Sequence, residues 1–338
     1  MKGRDLLILG AVLLVAGFAV ADALRTESSS APRPPEPERT TTRSVITEPE
    51  PPADLGRASF PEVLGAGGSV VFTQTGSCAV REVDLPTGLE LPNQISRTSC
   101  NLWAPPVTYR VAVGLGEARE DDTVPFRLVD LQRSGRNLGS YQALFGFIIF
   151  SDDGQRVAWC GRSRAGFDLE LGENTARRLR ACPVAYTSDR EIAFAEADRL
   201  VVDERVVLRA SGAITFVHYG QDGSIGLVVE GTRVERWQNG RRQQTLELPE
   251  RFYGRTPVFS PDNCAFMVRA GENMSVLDVG CSGLGQGTTL PGTSGSWSPD
   301  GRWVALGGPQ EILFVPVSGR GDTIRWPVGA VDIVWRRS

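Results

Sequence analysis

Beyond the first sixty or so residues the chain alternates short apolar runs with tight polar breaks, and the breaks repeat. The runs "QRVAW", "REIAF", "SIGLVV", "CAFMV" and "RWVAL" hold four to six residues of strand-forming composition each. Each follows an aromatic that has an aspartate three positions later: Phe150 and Asp153, Tyr186 and Asp189, Tyr219 and Asp222, Phe259 and Asp262, Trp297 and Asp300. These aromatics lie 36, 33, 40 and 38 residues apart, the spacing of one repeated supersecondary unit. Asp-Gly between two such runs predicts a hairpin, because glycine tolerates positive φ and aspartate bonds its own backbone. A second hairpin follows in several copies, as in "GFDLELGENTARRLR" and "MSVLDVG". About four strands then fit each period, which predicts the blade of a β-propeller.

Two further aromatics extend the series. Trp103 lies 47 residues before Phe150, and Trp335 lies 38 after Trp297, which makes seven innermost strands. The strand at Trp335 has no partner strands after it, whereas "GGSVVFTQ" starts a blade with no innermost strand before it. The two ends complete each other. An all-β, seven-bladed propeller closed by the C-terminal strand, with Val331 to Trp335 joining the blade that begins at Ser69, is therefore expected. Six blades is the alternative, since the first two copies depart most from the pattern.

The stretch "WSPDG" at Trp297 to Gly301 resembles the aromatic-Ser-Pro-Asp-Gly turn of TolB-type, WD40-like propeller repeats. Phe259 to Asp262 matches up to the glycine, where Asn263 stands, and Phe150 to Gly154 carries Asp152 in place of the proline. The resemblance spans about residues 66 to 338 and implies architecture while saying almost nothing about activity.

Composition adds location. The 38 glycines, the 22 prolines and the lack of a long helical periodicity after the N-terminus agree with an all-β chain. A net charge of −4 gives no basic surface for nucleic acid. Lys2 is the single lysine among 36 basic residues, a bias that points to a GC-rich bacterial genome. Lys2 and Arg4 precede an apolar run from Leu6 to Ala21, so residues 1–27 are read as an apolar helix serving as signal anchor and membrane segment. Cleavage after Ala21 or Ala23, giving a secreted protein, is the alternative. No cysteine precedes Cys78, which excludes a lipoprotein. Residues 28–64, rich in Pro, Glu, Ser and Thr, are expected to form a disordered spacer, and residues 65–338 the propeller.

Six cysteines in an exported chain predict three disulfides. Cys78 and Cys160 follow second strands, Cys100 and Cys182 follow fourth strands, and Cys264 and Cys281 start and end one hairpin. The inferred pairs are Cys78 with Cys100, Cys160 with Cys182, and Cys264 with Cys281. A turn centred between Glu272 and Asn273 would place Cys264 opposite Cys281, Phe266 opposite Val279 and Val268 opposite Leu277. For the other two pairs the second and fourth strands lie about 9.6 Å apart, so those cysteines must sit in loops that fold inward.

Candidate chemistry is sparse. The single histidine, His218, lacks the partners of a triad or a metal cluster, and neither G-x-S-x-G nor H-E-x-x-H occurs. The repeated aspartates are explained by the turns alone, and "GCSGLGQG" from Gly280 by a loop. No catalytic residue, cofactor or metal is expected, and the protein is read as a non-enzyme. What remains is a surface. Loops leaving second and fourth strands converge on one face, and they carry Ala118 and Arg119, Asp121, Arg162, Arg164, Tyr253, Arg255, Arg269 and Glu272. The expected function is an extracytoplasmic, membrane-tethered module of the cell envelope that binds or scaffolds an envelope protein or glycan. A propeller enzyme or carbohydrate-binding protein using carboxylates such as Glu272 and Asp121 is the alternative.

Overall fold

The computed structural model describes residues 67–337, apart from 96–98, 106–109, 132–135, 145–146, 174, 249–251, 253–257, 282–287 and 319–321. The apolar segment 1–27 and the spacer 28–64, with their boundaries, lie outside the described residues. Among the described residues there is no α-helix.

The strands form seven sheets of four antiparallel strands each. Trp103, Phe150, Tyr186, Tyr219, Phe259, Trp297 and Trp335 all stand on innermost strands, one per blade. Blade one is composite. Its innermost strand is Ala330–Arg336, which pairs with Ser69–Gln74, and Val80–Asp84 and Leu89–Ile95 complete the sheet. The closing register places Val70 opposite Trp335 and Phe72 opposite Ile333. The ring is thus seven-bladed and closed by its last strand.

Each repeated turn is held by the residues that define it. Ser298 Oγ donates to Asp300 Oδ1 (2.6 Å), Asp300 Oδ1 accepts the Arg302 amide (3.1 Å), and Ser298 Oγ accepts the Trp303 amide (2.9 Å). Ser151 with Asp153 and Ser260 with Asp262 repeat the arrangement. The position after the aspartate takes a left-handed backbone in every copy: Gly154 (58°), Arg190 (64°), Gly223 (76°), Asn263 (56°) and Gly301 (71°). That conformation is why glycine recurs there.

The core lies between blades. Seven apolar clusters fill the seven interfaces, from the cluster of Phe72, Phe314, Trp326 and Trp335 joining blades seven and one to a small one joining blades three and four. Closure also buries charge. Arg336 Nη1 meets Glu82 Oε1 at 3.2 Å, and Ser69 Oγ donates to the same oxygen at 2.6 Å, all within a sealed interior.

Disulfides join Cys78 to Cys100, Cys160 to Cys182 and Cys264 to Cys281, with Cα separations of 4.6, 4.8 and 5.0 Å. Cys78 (φ 52°) and Cys100 (φ 62°) take left-handed backbones, which lets their two loops approach. The register of the blade-six hairpin differs from expectation. Phe266 stands opposite Leu277 and Val268 opposite Ser275, and the Cys264 carbonyl accepts from the Val279 amide, so its disulfide to Cys281 runs diagonally. The two-residue loop is Gly271-Glu272, because Gly271 accepts the positive φ (64°) that the turn needs at its first central position.

Candidate functional site

The strand order sorts the loops into two faces. Turns from first to second and from third to fourth strands lie on one side, called here the turn face. Turns from second to third strands and the connections between blades lie on the other, the loop face.

The candidate residues from the sequence occupy the loop face. Asp121 Oδ1 accepts the Thr123 hydroxyl (2.5 Å) and amide (3.1 Å), and Arg162 Nε reaches its other oxygen from blade three at 2.9 Å. Those bonds, the Thr123 hydroxyl first, hold the Asp121 carboxyl below its usual range. Arg119 and Arg164 are exposed, Arg164 at φ 57°. Arg269 Nε donates to the Gly271 carbonyl at 3.0 Å in blade six, where Glu272 is exposed in the same hairpin. The structure brings Asp121 and Arg162 together across two blades, while Glu272 stands in a non-adjacent blade. Tyr253 and Arg255 lie outside the described residues.

On the turn face the channel mouth opens into a cavity of about 240 Å³ that includes Asp152, His218, Gln221, Ser298 and Arg337. His218 lies flat against Phe259 (centroids 5.6 Å apart, planes 6°) and donates through Nδ1 to Asn263 Oδ1 at 2.7 Å. Burial lowers the His218 pKa from its ordinary 6.5, against the Asn263 bond and the charges of Asp152 and Asp222. Asp152 is exposed at the channel mouth, yet the protein around its carboxyl desolvates it and raises its pKa, while His218 and Arg337 oppose the shift. The turns of blades five and six are also tied to one another: the Gln221 amide donates to the Pro261 carbonyl (2.7 Å), and Asn263 Nδ2 to Ser224 Oγ (2.8 Å).

A larger cleft of about 640 Å³ opens between blades three and four, also on the turn face. Arg156, Arg177, Arg178, Arg180 and Arg190 line it. Its floor is a built network. Buried Asp168 accepts from Arg156, from Arg177 Nη2 (3.1 Å) and from Tyr186 Oη (2.7 Å). Arg190 bridges to Asp153 at 2.6 Å, and Arg180 lies over the Phe194 ring at 5.1 Å. Burial, with Asp168 next to it, pushes the Tyr186 hydroxyl far above its ordinary range. None of the five arginines, nor Asp168, was singled out from the sequence, and Tyr186 and Asp153 were marked only as residues of the repeated turn. They come from two blades, and only their convergence marks them. Among the described residues there is no group of His, Cys, Asp and Glu side chains that could hold a metal ion.

No family model matches the chain, and no curated protein matches it. Among solved structures it is similar to a chain of the mitotic checkpoint complex (14% identity, TM-score 0.49, covering 77% of this chain and 84% of that one). It is also similar to the β-propeller domain of Myceliophteria thermophila Cps50 (Swd1) (14% identity, TM-score 0.46, covering 68% of this chain and 86% of that one). The propeller assignment rests on the strand order above and not on these matches.

Proposed function

We propose that this chain is an exported, membrane-tethered propeller of the TolB type that serves the bacterial cell envelope as a protein-interaction or ligand-binding scaffold. One observation carries the reading: all six cysteines are paired, and none is free. Structural disulfides persist in oxidising compartments and are rare in the cytosol, so complete pairing supports export. The apolar run after Lys2 and Arg4 supplies the means of export and the spacer supplies the reach. A rigid ring that displays loops on both faces suits capture of a partner. The non-enzyme reading accompanies this: the sequence contains no nucleophile elbow or metalloprotease motif.

The test is made in cells. Full-length protein should pellet with membranes and resist thiol alkylation until reduced, whereas a chain lacking residues 1–27 should accumulate reduced in the cytoplasm. Replacing Arg162, Arg164, Arg255 and Arg269 together should weaken in-cell crosslinking to the partner without lowering the melting temperature, because exposed charges contribute little to stability. Free thiols in the full-length protein overturn the export reading, and a wild-type chain that crosslinks to nothing overturns the scaffold reading. The second reading, a carbohydrate-binding or hydrolytic propeller, is favoured by the convergence of Asp152, His218 and Arg337 at the channel mouth. It requires glycan binding or turnover that Asp152→Asn abolishes.

A further inference from the structure

The interface between blades three and four is unlike the other six. Its apolar cluster holds four buried residues, Ala158, Tyr186, Ile192 and Phe194, where the next smallest holds six. The space that apolar side chains fill elsewhere is here occupied by the Asp168 network and by the open cleft.

The two walls of that cleft carry opposite charge. Blade three supplies Arg156, Arg177, Arg178 and Arg180, and blade four supplies Asp189, Glu191, Asp203 and Glu204, with Arg190 at the inner end. Arg156, Arg177, Arg180 and Arg190 are each held by a carboxylate behind them, Asp168, Glu196 or Asp153. Fixing a guanidinium in this way lowers the ordering cost of a further contact to its free N–H groups. Two ion pairs join blades three and four beside the cleft, Arg180 with Glu196 and Arg190 with Asp153, but none joins the lining arginines to the lining carboxylates. Among the described residues, Arg178 on one side and Asp189, Glu191, Asp203 and Glu204 on the other make no salt bridge. The lining therefore keeps Arg178 and four carboxylates without a salt bridge, facing each other across a gap, with Leu179, Ile192 and Phe194 beside them.

We propose that this cleft binds an extended segment of a protein partner whose side chains alternate acidic and basic. In an extended strand successive side chains point to opposite sides, so alternation places every carboxylate on one edge and every ammonium on the other. Such a segment lays its carboxylates along the arginines of blade three and its cations along the carboxylates of blade four. A purely anionic segment meets repulsion from blade four, and a purely cationic one from blade three, which makes the cleft selective. The site is separate from the loop face and deepens the scaffold reading on which it rests, by giving the chemistry of one partner segment.

The experiment uses the oxidised full-length chain in a neutral detergent. Binding of labelled peptides of about ten residues is followed by fluorescence anisotropy: one alternating Glu and Lys, one with the same residues as two blocks, and one of Glu alone. The alternating peptide should bind at least about tenfold more tightly than either of the others, with an affinity that falls as salt rises. Arg178→Glu should abolish that preference without changing the melting temperature, and Glu204→Lys, on the opposite wall, should do the same. Equal binding of the three peptides, or full binding by both variants, overturns the site. Partner crosslinking in cells separates the two readings. If Arg178→Glu leaves it intact, the cleft assignment falls and the scaffold stands; if the wild type crosslinks to nothing, the scaffold falls.

Discussion

At the scale of single residues, the departures from the repeated turn carry the most information. Asn263 stands where glycine is expected, yet it holds the left-handed backbone (φ 56°), and its side chain uses the position to join His218 to Ser224. A glycine could hold the backbone but not the bridge. The consequence is a pH dependence. Burial lowers the His218 pKa below 6.5, so the unfolded chain takes up a proton that the folded chain refuses. The stability tied to neutral His218 is complete above pH 6.5 and is lost as pH falls below it. His218 is the only histidine, so its window is not overlaid by another. Melting temperature should therefore drop on acidification just below pH 6.5, and His218→Gln should flatten that drop. Asp152, whose carboxyl is raised, acts with the opposite sign from above pH 3.8, and Asp152→Asn is the control that isolates the histidine. The turn itself was readable from Trp297 to Gly301. The tie between Asn263 and His218 was not, because it joins residues 45 apart in different blades.

At the scale of elements, closure and register had different sources. The closing strand was legible because two incomplete ends had to meet, and Ala330–Arg336 pairs with Ser69–Gln74 accordingly. The blade-six hairpin was misread by one turn position, which slides each pair by two residues and leaves every side chain on the same face. Hydrophobic alternation is blind to such a slide, and only the φ of Gly271 distinguishes the two registers. In the closing strand a buried charge does the equivalent work. A slip in its pairing would withdraw Arg336 from Glu82 and leave a carboxylate sealed without its cation. Glu82→Ala should cost about 3 to 5 kcal/mol in urea unfolding, since it removes the carboxylate that faces the buried Arg336 guanidinium. The double replacement Glu82→Leu with Arg336→Met should recover most of that loss. A single substitution costing under about 1 kcal/mol would show that the pair does not matter.

At the scale of the whole molecule the ring is uneven. Six interfaces are sealed by clusters of six or more buried apolar residues, and the interface between blades three and four by four. Native-state hydrogen exchange should accordingly show the lowest protection along Ile148–Phe150 and Ala185–Tyr186, the innermost strands that flank it. Uniform protection around the ring would contradict this. The sequence pattern could not reveal the unevenness, because aromatic spacing reports where strands begin and not what fills the space between sheets. The composite first blade bears on how the protein is made. Thr73 waits for the Asp332 amide, a partner 259 residues further along the chain. At roughly 5 to 20 residues per second, the inner edge of Ser69–Gln74 stays bare for about ten seconds to a minute of synthesis. The ring cannot lock while its last strand is still in the ribosome, so the order in which the chain is spelled holds closure back until Ala330–Arg336 emerges.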